Sequence, residues 1–276
     1  MSLFGKLLGF GKREAPVLEK SKSHLAFVLL PFDEFPASDA IIAAFDTYAQ
    51  GHHQIRIADD ENKDSASHEV LMIHVEGIGN AFILLVPKPI PHGEAEAAFD
   101  LSVSSITEKG GLQPHRAHLV VTLMPSEETD AIEDMMAFTS LLAAVTDAAQ
   151  GVGVYWGNAR ATHTREFFLT MASEHDISPR ILLWNGVSRS AEGGGKMSFL
   201  SHGMNQLALP DLYLICDARA AGEAMGRMFD LLAYIASRRE AIPAGDTIGA
   251  TAEEKIRVHY VKSPADPKQI VWKVEM

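Results

Sequence analysis

The stretch HRAHLVVTLMPSEETDAIEDMMAFTSLLAAVTDAAQGVGVYW (115–156) decides the fold class. HRAHLVVTL (115–123) carries a short apolar run bounded by turn residues, the pattern of a strand. Glu127 and Glu128 then open a long helix that reaches about Ala149, with acid in its first turn as the helix dipole favours. Gln150 and Gly151 close the helix, and GVYW (153–156) reads as the next strand.

Toward the N-terminus the same order recurs. HLAFVLL (24–30) is a buried strand, and Ser38 or Asp39 caps a helix whose apolar face carries Ile41, Ile42, Phe45 and Tyr48. Gly51 ends that helix, and the strands QIRIA (54–58), VLMIHVE (70–76) and NAFILLVP (80–87) follow. Gly77 and Gly79 favour a tight hairpin between the last two, and a helix spans about Gly93 to Ser102. Toward the C-terminus, 164–173 reads as a helix and ILLWNGV (181–187) as a strand. EGGGK (192–196) is a loop, MSFLS (197–201) and LYLIC (212–216) are strands, and a helix spans about Ala220 to Arg239. IRVHYV (256–261) and QIVWKVE (269–275) are the terminal strands.

Both halves thus pass from strand to long helix to strands, and the first long helix of each ends in AQG, at 49–51 and 149–151. The expectation is an α+β protein of two ferredoxin-like lobes forming a pseudo-repeat, with helices packed on mostly antiparallel sheets. Its parts are a flexible tail and linker (1–23), an N-terminal lobe (24–110) and a C-terminal lobe (111–276).

The 276 residues carry a net charge of −12, with 47% apolar and 22% charged residues. Such a surplus of acid argues against nucleic acid as a partner, since neutralising phosphates needs Lys and Arg on one face. No run approaches the roughly 20 apolar residues of a membrane span. MSLFGKLLGFGKREAP (1–16) lacks the apolar core and cleavage site of a signal peptide. With the single Cys216, which fits a reducing compartment, these features point to the cytoplasm. Cys216 lies in an apolar run and reads as a buried structural thiol. Residues 1–13 combine Leu3, Phe4, Leu7, Leu8 and Phe10 with Lys6, Lys12 and Arg13, a pattern suited to weak contact with an anionic membrane surface or a partner's groove. Gly5, Gly9 and Gly11 favour a frayed tail instead.

The C-terminal third carries ordered motifs: FLSHGMNQLALPDLYLI (199–215), a helix, then PAGDTIGATAEEKIRVHY (243–260). Gly203–Met204, Leu209–Pro210–Asp211, Gly245 to Gly249 and Glu254 to Val258 together resemble the bacterial family catalogued as domain of unknown function 4261. VYWGN (154–158) is similar to a segment of its longer members. The resemblance implies no activity, cofactor or catalytic residue.

Chemistry-bearing residues were weighed against ordinary structural roles. His115 and His118 fall on opposite strand faces by spacing, and the adjacent His52 and His53 point apart if a strand has begun there. With no HExxH, CxxC or aspartate-rich loop, neither a metal nor a cofactor is expected. EGGGKMS lacks the GxxxxGK[ST] order of a phosphate loop. Tyr155, Trp156, Asn158 and His163, with Trp184 beyond the next helix, suit a ligand cleft or a packed core equally. His202 adds a group that titrates near neutrality. Asp246 and Thr247, inside GDTIG (245–249), suit either a ligand-contacting loop or a capped turn. The functional expectation is a module binding an unknown protein or small-molecule partner. Its alternative is an enzyme, such as a hydrolase, with His163 or His202 joined to a carboxylate between the lobes.

Overall fold

The computed structural model describes residues 15–58, 70–249 and 254–276. In chain order its elements begin β1 (His24–Leu30), α1 (Ser38–Ala49), β2 (Ile55–Ile57), β3 (Val70–Val75), β4 (Gly79–Val86), α2 (Glu94–Phe99) and α3 (Ser104–Thr107). They continue with β5 (Ala117–Pro125), α4 (Ala131–Ala148), β6 (Gly153–Trp156), β7 (Ala161–Thr164), α5 (Arg165–Ser173), α6 (Ile177–Trp184), β8 (Gly186–Ala191) and β9 (Lys196–His202). The last are β10 (Leu212–Asp217), α7 (Ala221–Arg238), β11 (Thr247–Ile248), β12 (Ile256–Arg257), β13 (His259–Lys262) and β14 (Ile270–Glu275). Among the described residues, no helix is long and apolar enough to cross a membrane.

The chain is α+β, built on two sheets. The first has the order β2-β3-β4-β5-β1-β6-β7, and every neighbouring pair in it is antiparallel. The second has the order β13-β14-β10-β9-β8, with β10 and β14 parallel and α7 in the crossover between them. In the first sheet, β5 and β6 flank β1 and are linked by α4, a split β-α-β unit of the ferredoxin-like kind.

The partition into lobes at 110/111 does not match these sheets. Strand β5, expected to open a second lobe, sits at the centre of the first sheet between β4 and β1. Leu119, Val121 and Leu123 on one side of β5 are fully buried, which requires a paired strand on both edges and a helix layer over them. The two halves also enter the sheet differently. After α1 the chain starts at the far edge and works inward through β2, β3 and β4; after α4 it starts beside β1 and works outward through β6 and β7. Those orders do not superpose as a simple repeat. The two AQG turns nonetheless agree locally: Gln50 and Gln150 both sit at φ 50°, each followed by glycine.

Helix α4 starts later than its glutamates suggest. Asp130 is the cap, its Oδ1 accepting from the backbone N–H of Ile132 and Glu133 at 2.9 and 3.4 Å. The helix is buried on nearly all sides because it packs against α1, α5, α6 and the turn after β9 as well as the first sheet. One continuous apolar core therefore spans both sheets. Residues 181–187 prove helical up to Trp184: Asp176 caps α6 by accepting from the Ser178 N–H, and Pro179 sits in its first turn, where its missing N–H costs nothing. Strand β10 buries Leu212, Leu214 and Cys216 beneath α7, whereas Tyr213 and Ile215 on the other face are only half-buried, so cover is complete on one side alone.

The linker is tied down where it can be seen. The Lys20 ammonium lies 2.7 Å from the buried Asp134 carboxylate and donates to the Ser126 and Thr129 carbonyls at 2.7 and 2.6 Å. The flexible character expected for 1–23 therefore fails for this part, and residues 1–14 lie outside the described residues.

Candidate functional site

An antiparallel sheet with one wet face normally alternates apolar with polar residues. Strands β1, β3, β4 and β5 do not. Their inward residues, such as Val28, Ile73, Ile83 and Val121, are fully buried, and their outward residues are apolar too. Cross-strand register aligns the outward residues in rows: Val70, Leu84, Val120, Phe27 and Tyr155 form one, and Met72, Phe82, Thr122 and Leu25 the next. The third row is His74, Asn80 and Met124, with Arg56 of β2 at its edge.

Half of this face has a cover. Ile90 and Ala95, from the segment between β4 and β5, pack on Leu29, Phe27, Val152 and Tyr155. Phe27 stacks on Tyr155 with ring centroids 5.5 Å apart and meets His118 edge-on at 5.7 Å. The remainder has no cover among the described residues: Val70 is 60% exposed, Met124 53%, Met72 42% and Leu84 39%. The polar members are few, and His74 and Asn80 satisfy one another across the strands at 2.9 Å. No Asp, Glu, Lys or Arg stands among the rows of β3, β4, β5 and β1. Together with Arg56 at its edge, this makes a contiguous, largely apolar surface of a kind that is uncommon on soluble monomers.

The aromatic-polar residues expected at a site lie elsewhere. Trp156, His163 and Trp184 come together, but inside the core and fully buried. The Trp156 indole donates to Gln206 Oε1 at 2.9 Å, and that of Trp184 to Thr139 Oγ1 at 2.8 Å. His163 Nε2 donates to the Leu183 carbonyl at 3.1 Å, which leaves Nδ1 unprotonated and without a partner. Burial pulls this imidazole down to about 4. Tyr155 points the opposite way from Trp156, onto the apolar face, and Asn158 is exposed in the turn Gly157–Ala159. His202 Nε2 lies 2.9 Å from Ser188 Oγ; burial and then the nearby Arg160 charge hold it down to about 4.

Asp246 and Thr247 sit in a turn locked by backbone bonds. Gly245, at φ 86°, donates to the Val258 carbonyl at 2.9 Å, and Val258 N–H donates to the Asp246 carbonyl at 2.8 Å. Thr247 pairs with Arg257 in the β11–β12 ladder.

Two readings of histidine spacing are corrected. His115 precedes β5 and accepts from the Ile90 N–H at 2.9 Å, while His118 donates to the Lys88 carbonyl at 2.8 Å, so both meet one segment. His52 and His53 lie in the loop after α1, and both rings approach His175, stacked at 3.7 Å and tilted at 6.2 Å. Among the described residues, no group of three or more His, Cys, Asp or Glu is arranged to hold a metal ion. A cleft of about 690 Å³ is lined by Gly110, Gln150 and Arg165 among others, and neither Trp184 nor His202 is in its lining. Its one cation is already committed to Asp147 Oδ1 at 2.5 Å.

Asp211 organises the turn that joins β9 to β10. Its Oδ1 accepts from Ser201 Oγ at 2.8 Å and from the Met204 N–H at 3.2 Å, and Ser201 Oγ accepts in turn from the Leu212 N–H at 2.9 Å. Burial pushes the Asp211 carboxyl up to about 6 despite these bonds. A folded-state value above the unfolded one means that the stability contributed by this group is full below about 3.8 and lost as pH rises through about 6. Asp211→Asn keeps an acceptor without the charge. The stability of the wild type minus that of the variant should therefore fall by up to about 3 kcal/mol between pH 4 and pH 7.5. Urea denaturation of both proteins at several pH values checks it, and a difference that stays flat with pH refutes the assignment. His163 acts in the opposite sense, losing stability as pH falls from 6.5 toward about 4, and the subtraction removes it.

No curated protein and no solved structure is similar enough to match the chain. A family model does match: residues 200–275, from the end of β9 through β14, are similar to the Domain of unknown function (DUF4261).

Proposed function

We propose that this protein is a non-catalytic interaction module, and that its binding surface is the bare half of the first sheet's outer face. The observation that carries the reading is that Val70, Met72, Leu84 and Met124 stay 39–60% exposed on one face, whose rows on β3, β4, β5 and β1 hold no charged residue. The partner that fits is a protein segment with an apolar stripe, such as an amphipathic helix lying across the strands. Met72 and Met124 add unbranched side chains that adapt to such a stripe. The acidic charge of −12 and the buried Cys216 support a cytoplasmic setting for this binding.

Leu84 is half out in solvent, so Leu84→Lys places a cation in the middle of the face at little cost to the fold. Native mass spectrometry of the protein purified from its own host should show a bound polypeptide on the wild type, absent from Leu84→Lys at an unchanged melting temperature. A variant that retains every partner of the wild type refutes the reading.

A further inference from the structure

We propose that the chain's own N-terminal segment, residues 1–13, occupies the bare apolar face in cis. The inference rests on the reading of that face as a binding surface and names its first occupant. Three segments lie outside the described residues, and only one is apolar: 59–69 is DDENKDSASHE and 250–253 is ATAE, whereas 1–13 holds Leu3, Phe4, Leu7, Leu8 and Phe10. These five recur at helical spacing and so fall on one stripe.

Position supports the match. Lys20 is bonded to the Ser126 carbonyl, two residues past Met124 at the edge of the bare rows. Seven residue steps lead from position 13 to this anchor and reach at most roughly 25 Å, comparable with the width of the face. Size separates the occupants. Three strands about 4.8 Å apart, β3, β4 and β5, with three rows about 6.6 Å apart, give a bare area of roughly 15 by 20 Å, or about 300 Å². A second copy would need about 800 Å² from each partner. A 13-residue helix, about 20 Å long and 10 Å wide, fits within the face. A tethered segment holds such a site at high effective concentration, so a partner in trans must displace it.

Methionine methyl NMR on the full chain tests this directly. A nitroxide is attached to Leu8→Cys; Cys216, 1% exposed, is spared by the label. The Met72 and Met124 methyl signals should lose height, while that of Met228, fully buried on the inner side of α7, keeps it. The loss should be unchanged on dilution and reversed when ascorbate reduces the label. Deleting residues 1–13 should shift the same two signals and increase binding of a hydrophobic dye. Unmoved Met72 and Met124 signals in both experiments overturn the proposal. So does a loss that vanishes on dilution, which would put a second copy on the face. A segment that reaches its target only when anionic phosphatidylserine vesicles are added, with Met72 and Met124 unmoved before that, also overturns it. If the signals stay unmoved while Leu84→Lys still loses a host partner, the cis occupant is wrong and the binding face stands.

Discussion

Arg180→Ala should lower stability by about 3–5 kcal/mol, because it leaves a set of buried acceptors with nothing to bind. Arg180 is fully buried, yet its guanidinium is held by carbonyls and one hydroxyl rather than by a carboxylate. Nη1 donates to the Met136 carbonyl at 2.7 Å and Ser140 Oγ at 3.2 Å; Nη2 donates to the carbonyls of Ala172 at 2.7 Å and Tyr48 at 3.3 Å; Nε donates to that of Glu174 at 2.8 Å. Tyr48 lies in the last turn of α1, and Ala172 and Glu174 lie at the end of α5. Two helix termini thus aim their negative ends at one cation, and this replaces a counter-ion. Burial draws the guanidinium down to about 10, so it stays charged at neutral pH. Urea denaturation should show a lower midpoint at unchanged slope. Arg180→Met, which restores volume but no donor, should recover only a part. Wild-type midpoints for both variants would show that these bonds contribute little.

The second large effect belongs to Gly203. At φ 136° it turns the chain out of β9, and a Cβ there would stand 2.0 Å from the Trp184 carbonyl oxygen and 3.3 Å from Ala159 Cβ. Neither neighbour can retreat easily, since Trp184 and Ala159 are both fully buried. Strained backbone and overpacking together put Gly203→Ala at about 3–5 kcal/mol destabilising. The contrast is Gly222→Ala, where nothing lies within 4 Å and the residue is in the first turn of α7. Thermal melting of the pair should show a large drop for the first and little change for the second. Similar melting temperatures would mean that the turn adapts.

These positions show what the sequence displayed and what it hid. Period and punctuation sufficed for most elements: the run 24–30, the helix of 220–239 and the two-glycine hairpin at 77–79 all stand where their patterns place them. The fault at 181–187 came from weighing an apolar run above its start signal, although Asp176 and Pro179 precede it as a helix opening does. Topology was hidden for another reason. Nothing local in residues 117–125 says that their neighbours are β1 and β4; only the joint burial of all three strands does. The tryptophans were legible as amphipathic groups, but whether they line a cleft or a core depends on Gln206 and Thr139, which are distant in the chain. The apolar face did leave a trace: strands 70–75 and 79–86 carry apolar residues on both sides. Arg180 left none, because its five acceptors come from three different helices or their ends.

The central place of β1 sets a timetable for synthesis. Phe27 pairs with Val120 on one side and with Tyr155 on the other. At about 5–20 residues per second, a ribosome delivers the second partner roughly 6–25 s after the strand itself. Until β5 emerges β1 has two unpaired edges, and until β6 emerges it has one, beside an apolar run, the condition under which a nascent chain aggregates or recruits a chaperone. The protein's vulnerability is therefore greatest before its middle third has emerged, and a pause in translation ahead of residue 156 would prolong it.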